Sequence, residues 1–243
     1  MFKHMPTPSI IAHRGSCAHV PENTLAAFEL AREQGADLIE LDVKLSADGI
    51  PVVIHDPTVD RTTNGSGAVA DLSLASLQKL DAGGGQHLPT LAEVFTAVGR
   101  DLYINVELTN YNTKKDALVD KVVEVIKEHN MQERVLFSSF LARNLKRAAD
   151  LLPETPRGLL ALPTTLGIFA RVFGFRSNTY QAIHPSIRNL SEKMINQAHQ
   201  RGQRVFVWTV NTPEEMRKMA AWGVDGIITD DPKLAVEILR GMP

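Results

Sequence analysis

The stretch "SIIAHRGSCAHVPENTLAAFELAREQGADLIELDV" (9–43) decides the fold. It opens on a short apolar run, "SIIAH" (9–13), and closes on another, "LIELDV" (38–43). Between them, "NTLAAFELAREQG" (23–35) places Leu25, Phe28 and Leu30 with Ala26, Ala27 and Ala31 on one broad helical face. Two short runs around one run of helical period read as strand, helix, strand. Asn23 is the expected N-cap and Gly35 the expected stop. Strands joined through a helix run parallel, because a parallel pair needs a long crossover.

The unit recurs along the chain. Further strands are expected at "LYINVEL" (102–108), "RVLFSS" (134–139), "RGLLAL" (157–162), "YQAIHP" (180–185), "RVFVWTV" (204–210) and "GIITD" (226–230), eight in all. Helices are expected over 116–130, 191–202 and 212–223; the last two start at Ser191 and Thr212 and end in glycine, with Pro213 in the first turn. Eight alternations in 243 residues give an α/β fold, a closed TIM (β/α)8 barrel rather than an open doubly wound sheet. No GxGxxG follows the first strand, which weakens a dinucleotide-binding reading.

"IPVVIH" (50–55) breaks the rhythm. Only "SADG" (46–49) separates it from the second strand, too little for a parallel crossover, so an antiparallel hairpin extension is expected. With a four-residue loop His55 faces Glu40; with Asp48-Gly49 alone as the loop it faces Asp42. Both registers have the same parity and put His55 on the carboxylate face. Residues 56–89 form an insertion over one barrel mouth, with a short helical piece near 73–80. One domain over 1–243 is the simplest account.

Charge is nearly balanced, 26 Lys+Arg against 28 Asp+Glu, so no basic surface argues for nucleic acid. Cys17 is the one cysteine, which excludes an internal disulfide and suits a reducing compartment. "MFKHMPTPS" lacks the apolar run of a signal peptide, and no stretch approaches the roughly 20 apolar residues of a spanning helix. A cytoplasmic protein without stable membrane insertion is expected. Oligomeric state is not legible.

Buried parallel strands should be apolar. Here Glu40 and Asp42, two apart, share a face, and Glu107 stands on the next barrel strand. Three buried carboxylates left alone are costly. Either a hard divalent cation uses their oxygens, or Arg and Lys side chains pair with them inside the barrel. His13 ends the first strand beside this cluster, and His55 faces it from the hairpin. Two histidines aimed at one acidic cluster suit a general acid and a general base.

"HRG", "PENT" (21–24), "IELDV", "DGIPVVIHD" (48–56), "RTTNGSG" (61–67), "LPTL" (88–91), "VFVWTVN" (205–211) and "GVDGIITDDP" (223–232), in this order, resemble the glycerophosphodiester phosphodiesterase family. The resemblance spans about residues 10–236. It implies a TIM barrel with a small insertion near the active site. It also implies metal-dependent hydrolysis of a small-molecule glycerophosphodiester to an alcohol and sn-glycerol 3-phosphate, a step of lipid and glycerol metabolism. By motif, His13 and His55 correspond to the acid/base pair, Arg14 to the phosphate contact, and Trp208 to a wall for the glycerol moiety. Glu40, Asp42 and Glu107 correspond to ligands of Mg²⁺ or Ca²⁺, with Mn²⁺ a further candidate. Which histidine is acid and which base, and whether water or the substrate's own glycerol hydroxyl attacks, stay open.

One position departs from the family. Many relatives carry lysine two residues after the third carboxylate; here "VELTN" has Thr109. The missing charge leaves Lys114 and Lys115 as substitutes. It keeps two other readings in play, a lysophospholipase D-like enzyme and a non-catalytic phospho-ligand-binding barrel. "LGIFARVFGF" (166–175) is either a barrel helix packed on the sheet, the favoured reading, or a greasy lip for a lipid-like substrate. His184 is a candidate pocket residue, His199 is expected at the surface, and Cys17 lacks a base of its own.

Overall fold

Eight parallel strands close on themselves in the computed structural model, which describes residues 2–113, 116–177 and 179–241. They are β1 (Ser9–His13), β2 (Leu38–Leu45), β4 (Tyr103–Leu108), β5 (Val135–Ser139), β6 (Arg157–Ala161), β7 (Ala182–Pro185), β8 (Arg204–Val207) and β9 (Gly226–Thr229), and β1 pairs with both β2 and β9. The helices are α1 (Leu25–Glu33), α2 (Leu74–Leu77), α3 (Leu91–Val98), α4 (Leu118–Glu128), α5 (Ala142–Leu151), α6 (Ile168–Val172), α7 (Glu192–His199), α8 (Pro213–Ala221) and α9 (Pro232–Arg240). The TIM barrel expected from the alternation is present.

Side-chain alternation builds two cores. Outward residues such as Ile10, Ile39, Val106 and Phe137 pack with the helices in one large cluster. Inward residues Ile11, Leu38, Leu136, Ala182, Phe206 and Ile228 fill the barrel as a second. Moving up the inward face of β2, Leu38 gives way to Glu40 and then Asp42. The barrel is apolar at its base and charged toward the C-terminal ends of its strands, where (β/α)8 barrels gather chemistry.

Strand β2 overhangs β1. Its first residues pair with β1, and its last three pair with the short antiparallel β3 (Pro51–Val53). The hairpin exists, but its register is Val43↔Val53 and Leu45↔Pro51, neither of those expected. Ser46 N–H donates to the Ile50 carbonyl at 3.1 Å, and Ser46 Oγ accepts from Ile50 N–H, so the loop runs through Ile50. This reverses the parity. The parity argument for His55 therefore fails; β3 ends at Val53 and a bend after it turns His55 toward the barrel mouth.

The segment that follows has its own small core, built by Val52, Ile54, Val59, Val69, Leu77 and Leu88. Its α2 is capped by Ser73, within the expected 73–80. Helix α3, not anticipated, starts with a capping box: Glu93 N–H donates to Thr90 Oγ1, and Thr90 N–H donates to Glu93 Oε2. Strands β7 and β8 are shorter than expected at 180–185 and 204–210. The stretch 166–175 corrects the favoured reading: Phe175 is buried, but Ile168, Phe169, Val172 and Phe173 face solvent. Among the described residues no helix is long and apolar enough to cross a membrane.

Thr24, not Asn23, caps α1, its Oγ1 accepting from Ala27 N–H. Asn23 is in the left-handed region at φ 57° and serves the site instead. The tight passage from β1 into α1 depends on Gly15. It has φ 83°, and a Cβ there would lie 2.6 Å from Ala27 Cβ. Gly15→Ala should lose about 2–4 kcal/mol, from left-handed strain plus overpacking. Urea denaturation checks this; a loss within about 0.5 kcal/mol of zero, the range of a bland surface change, would contradict it.

Candidate active site

Register brings the acids together. Asp42 pairs with Glu107, Glu40 with Asn105, and His13 with Glu40. Oxygens of Glu40, Asp42 and Glu107 all lie within 4.8 Å of one another. They open onto a cavity of about 220 Å³ at the C-terminal mouth, whose walls include His13, Arg14, His55 and Trp208. All seven residues singled out from the sequence thus meet in one place. A larger cavity, about 640 Å³, lies at the opposite end of the barrel beside Tyr103, Arg134 and Pro156. Its walls hold no carboxylate cluster, and it sits at the end where such barrels do not place chemistry.

The three carboxylates are oriented but not neutralised. Arg14 N–H donates to Glu40 Oε2 at 3.1 Å, and Arg14 Nε lies 3.3 Å from Asp42 Oδ2. Asn23 Nδ2 donates to Asp42 Oδ2 at 3.1 Å, and Tyr111 OH donates to Glu107 Oε1 at 2.7 Å. Arg14 is shared with Glu22, 2.9 Å from its Nη1. Burial, reinforced by Asp42 and by mutual repulsion, raises the Glu40 carboxyl well above its usual range and Glu107 to about 8. An all-oxygen set short of positive charge fits a hard divalent cation. Pairing inside the barrel, the other sequence reading, is realised only in part through Arg14.

This arrangement has a testable sign. A carboxyl raised by folding binds more protons folded than unfolded, between its ordinary value near 4.5 and, for Glu107, about 8. Stability therefore falls as pH rises through that window. In EDTA the melting temperature should drop from about pH 5 to about pH 8, and a saturating divalent cation should flatten the slope. A cation-independent profile in scanning fluorimetry would contradict this.

Each histidine leans on an aspartate. His13 Nδ1 lies 2.6 Å from Asp230 Oδ1, and His55 Nδ1 lies 2.6 Å from Asp56 Oδ1. Burial pushes Asp230 up, but hydrogen bonds from His13, Asn211 and Cys17 outweigh it and hold Asp230 at about 2. Asp56 is held far below the usual range, first by the Arg61 hydrogen bond and then by His55, against burial. Both aspartates stay ionised, so each accepts the Nδ1–H of its histidine and orients the ring. The roles of Asp56 and Asp230 were missed by sequence reasoning. The only local signals were the His55-Asp56 adjacency and the position of Asp230 just past the last strand, which neighbours the first.

A chain of ion pairs spans the mouth. Arg61 binds Asp56 through Nε at 2.6 Å and Glu22 through both Nη atoms at 2.8 and 2.9 Å, and Glu22 binds Arg14. The "PENT" residues thus acquire separate duties: Glu22 holds both arginines, Asn23 orients Asp42, and Thr24 caps α1. The "NGSG" stretch forms a turn, with Asn64 exchanging hydrogen bonds with Asp81.

Opposite the charges stands an aromatic wall. Trp208 packs edge-on to Phe140 at 6.0 Å, Phe140 packs on Tyr111, and Trp208 Nε1 donates to the His184 carbonyl. His184 lines the cavity floor with neither ring nitrogen hydrogen-bonded, and burial pushes its pKa down to about 3, so it is neutral. Burial and Asp230 drive the Cys17 thiol far above its usual value, the wrong direction for a nucleophile. His199 ends α7 at the surface, as expected, with its Nε2 2.7 Å from Asp225 Oδ2.

The Thr109 corner is not bare. Lys44 continues the inward face of Glu40 and Asp42, and its Nζ donates to the Thr109 carbonyl at 2.8 Å and to Oγ1 at 2.9 Å. Burial lowers its pKa, opposed by Asp42 and Glu107. Lys114 and Lys115 lie outside the described residues.

A sequence model of the glycerophosphoryl diester phosphodiesterase family matches residues 13–234. A glycerophosphodiester phosphodiesterase of Caldanaerobacter subterraneus subsp. tengcongensis is 41% identical over 239 residues, covering 95% of this chain and 97% of its own. Among solved structures, an Oleispira antarctica phosphodiesterase in complex with the product sn-glycerol-3-phosphate superposes with a TM-score of 0.86 at 32% identity, covering 96% of this chain and 97% of its own. A Silicibacter pomeroyi protein described as a putative glycerophosphoryl diester phosphodiesterase superposes at 0.87 with 27% identity, covering 98% and 95%.

Proposed function

Because the chain belongs to the glycerophosphoryl diester phosphodiesterase family, we propose that it hydrolyses glycerophosphodiesters to an alcohol and sn-glycerol 3-phosphate, with His13 and His55 as the acid/base pair. The observation that carries this reading is one cluster. Three buried carboxylates converge within 4.8 Å in the cavity that two aspartate-held histidines line.

Glu40, Asp42 and Glu107 would hold a divalent cation, Mg²⁺, Ca²⁺ or Mn²⁺, which supplies charge to polarise a phosphoryl oxygen. The remaining N–H groups of Arg14 dock another phosphoryl oxygen, and the Glu22–Arg61 pairs keep its guanidinium aimed at the mouth. One histidine Nε2 takes the proton of the attacking hydroxyl as the new P–O bond forms. The other gives a proton to the leaving alkoxide as the old bond breaks. Trp208 and Phe140 offer the glycerol carbons an apolar wall. The binding-only reading rests on Thr109 alone, and the intact acids and histidines argue against it. A cytoplasmic location agrees with the single free cysteine.

The test uses purified protein, stripped with EDTA and supplied with each of the three cations in turn. Release of sn-glycerol 3-phosphate from glycerophosphocholine is the expected result. No release with any of them would sink the proposal.

A further inference from the structure

The most exposed apolar surface of the described chain lies beside the catalytic mouth. Phe169 is 78% exposed and Phe173 63%, their rings 5.3 Å apart, with Ile168 and Val172 next to them. The segment is anchored to the barrel at its C-terminal end. Phe175 is buried beneath it, and Gly174 lies so close to the barrel that a Cβ there would come 2.5 Å from Leu159 Cδ2. The patch begins at the site itself: Leu162, 38% exposed, lines the catalytic cavity.

In sequence, no acidic residue occurs between Glu154 and Glu192, a span that includes the exposed Arg176. A groove of about 250 Å³ runs between this segment and α7; Val172, Phe175 and Met194 form its apolar floor, Arg176, Lys193 and Arg201 supply its cations, and no carboxylate lines it. Projecting aromatics beside cations are the signature of a surface that lies on an anionic lipid interface. A second copy of the chain fits less well, because a two-fold contact would set these cations against their own images.

We propose that the face formed by Leu162–Arg176 and the cationic groove docks the barrel on an anionic phospholipid surface. Docking sets the catalytic mouth at the interface. The cavity of about 220 Å³ takes a polar headgroup, while any acyl chain stays along the Leu162–Phe173 lip. The docking does not depend on the catalytic reading, and its test reads binding rather than turnover.

The experiment is co-sedimentation with vesicles of phosphatidylglycerol mixed with phosphatidylcholine, against vesicles of phosphatidylcholine alone. Wild type should pellet with the anionic vesicles. Phe169→Ser/Phe173→Ser should weaken binding by at least about tenfold, and Arg176→Glu/Lys193→Glu should reduce it to the level seen without anionic lipid. Turnover of a water-soluble glycerophosphodiester should be unchanged in both. The charge-reversal pair keeps the test open if the aromatic pair misfolds, and melting curves tell the two cases apart. No binding by wild type, or equal binding by all variants, would overturn the proposal. So would light scattering that shows a wild-type dimer turning monomeric in the Phe variant, because the patch would then be an interface between copies.

Discussion

His13→Gln and His55→Gln will each lower kcat for glycerophosphodiester hydrolysis by about 10²–10⁴-fold, the usual worth of a positioned acid or base. Neither change should unfold the protein, because His13 is only part-buried, His55 is exposed and Gln keeps a polar tip. The pH profile separates catalysis from mere placement. If one histidine is the base and the other the acid, wild type shows a bell, and each variant loses one limb. Asp230→Asn tests the partner. Its amide can donate toward Nδ1, so the Nδ1 proton is no longer fixed and Nε2 is no longer kept free. Activity should fall with KM little changed, because Asp230 binds His13 and does not line the cavity. Full activity in both histidine variants would remove the acid/base assignment whatever the fate of the metal.

Much of this was legible because it is written in short-range periodicity. Glu40 and Asp42 share a face since strands alternate, and Glu107 joins them since consecutive barrel strands are neighbours. What stayed hidden depends on distances the sequence does not encode. Asp230 meets His13 across 217 positions, because β9 closes the barrel against β1. Glu22 and Arg61 meet only because the segment after β3 folds over the mouth. The hairpin failed for a local reason. Asp48-Gly49 reads as a tight turn, but Ser46 bonds across to Ile50 and lengthens the loop, and one residue of loop reverses every side chain. His55 still lines the cavity, but through the bend after β3 rather than through hairpin parity. Asn23 looked like a cap, yet Thr24 took that task and freed Asn23 to reach Asp42. The capping box of α3 is legible in the sequence at Thr90 and Glu93.

Local physics also explains how the chain accommodates Thr109. A lysine there would extend from β4 toward the phosphate. Here Thr109 Oγ1 donates to the Val43 carbonyl across the sheet and accepts from Lys44 on the neighbouring strand. Lys44 is on the inward face of β2 two residues beyond Asp42, in the same period-two series as the acids.

Removing the divalent cation will have an effect of comparable size, with an unusual companion in stability. Polarising a phosphoryl oxygen is worth several kcal/mol of transition-state stabilisation, so stripping with EDTA should cut turnover by about 10³-fold or more, and returned Mg²⁺, Ca²⁺ or Mn²⁺ should restore it. A site whose acids were balanced by Arg14 and Lys44 alone would be indifferent to EDTA. The variants Glu40→Gln and Glu107→Gln sharpen the contrast. Each removes one of three crowded, buried negative charges and leaves the side-chain volume nearly unchanged. Without a cation, each variant should melt higher than wild type above about pH 7, because the repulsion and desolvation that raise these two carboxyls are relieved. With a cation, wild type should gain stability that neither variant can match, since each has lost an anionic ligand. Activity should then run opposite to cation-free stability, with the more stable Gln variants the inactive ones. If Glu40→Gln and Glu107→Gln instead destabilise the cation-free protein at that pH, the acids are held by partners within the chain. The cluster would then be an ion-pair network rather than a metal site.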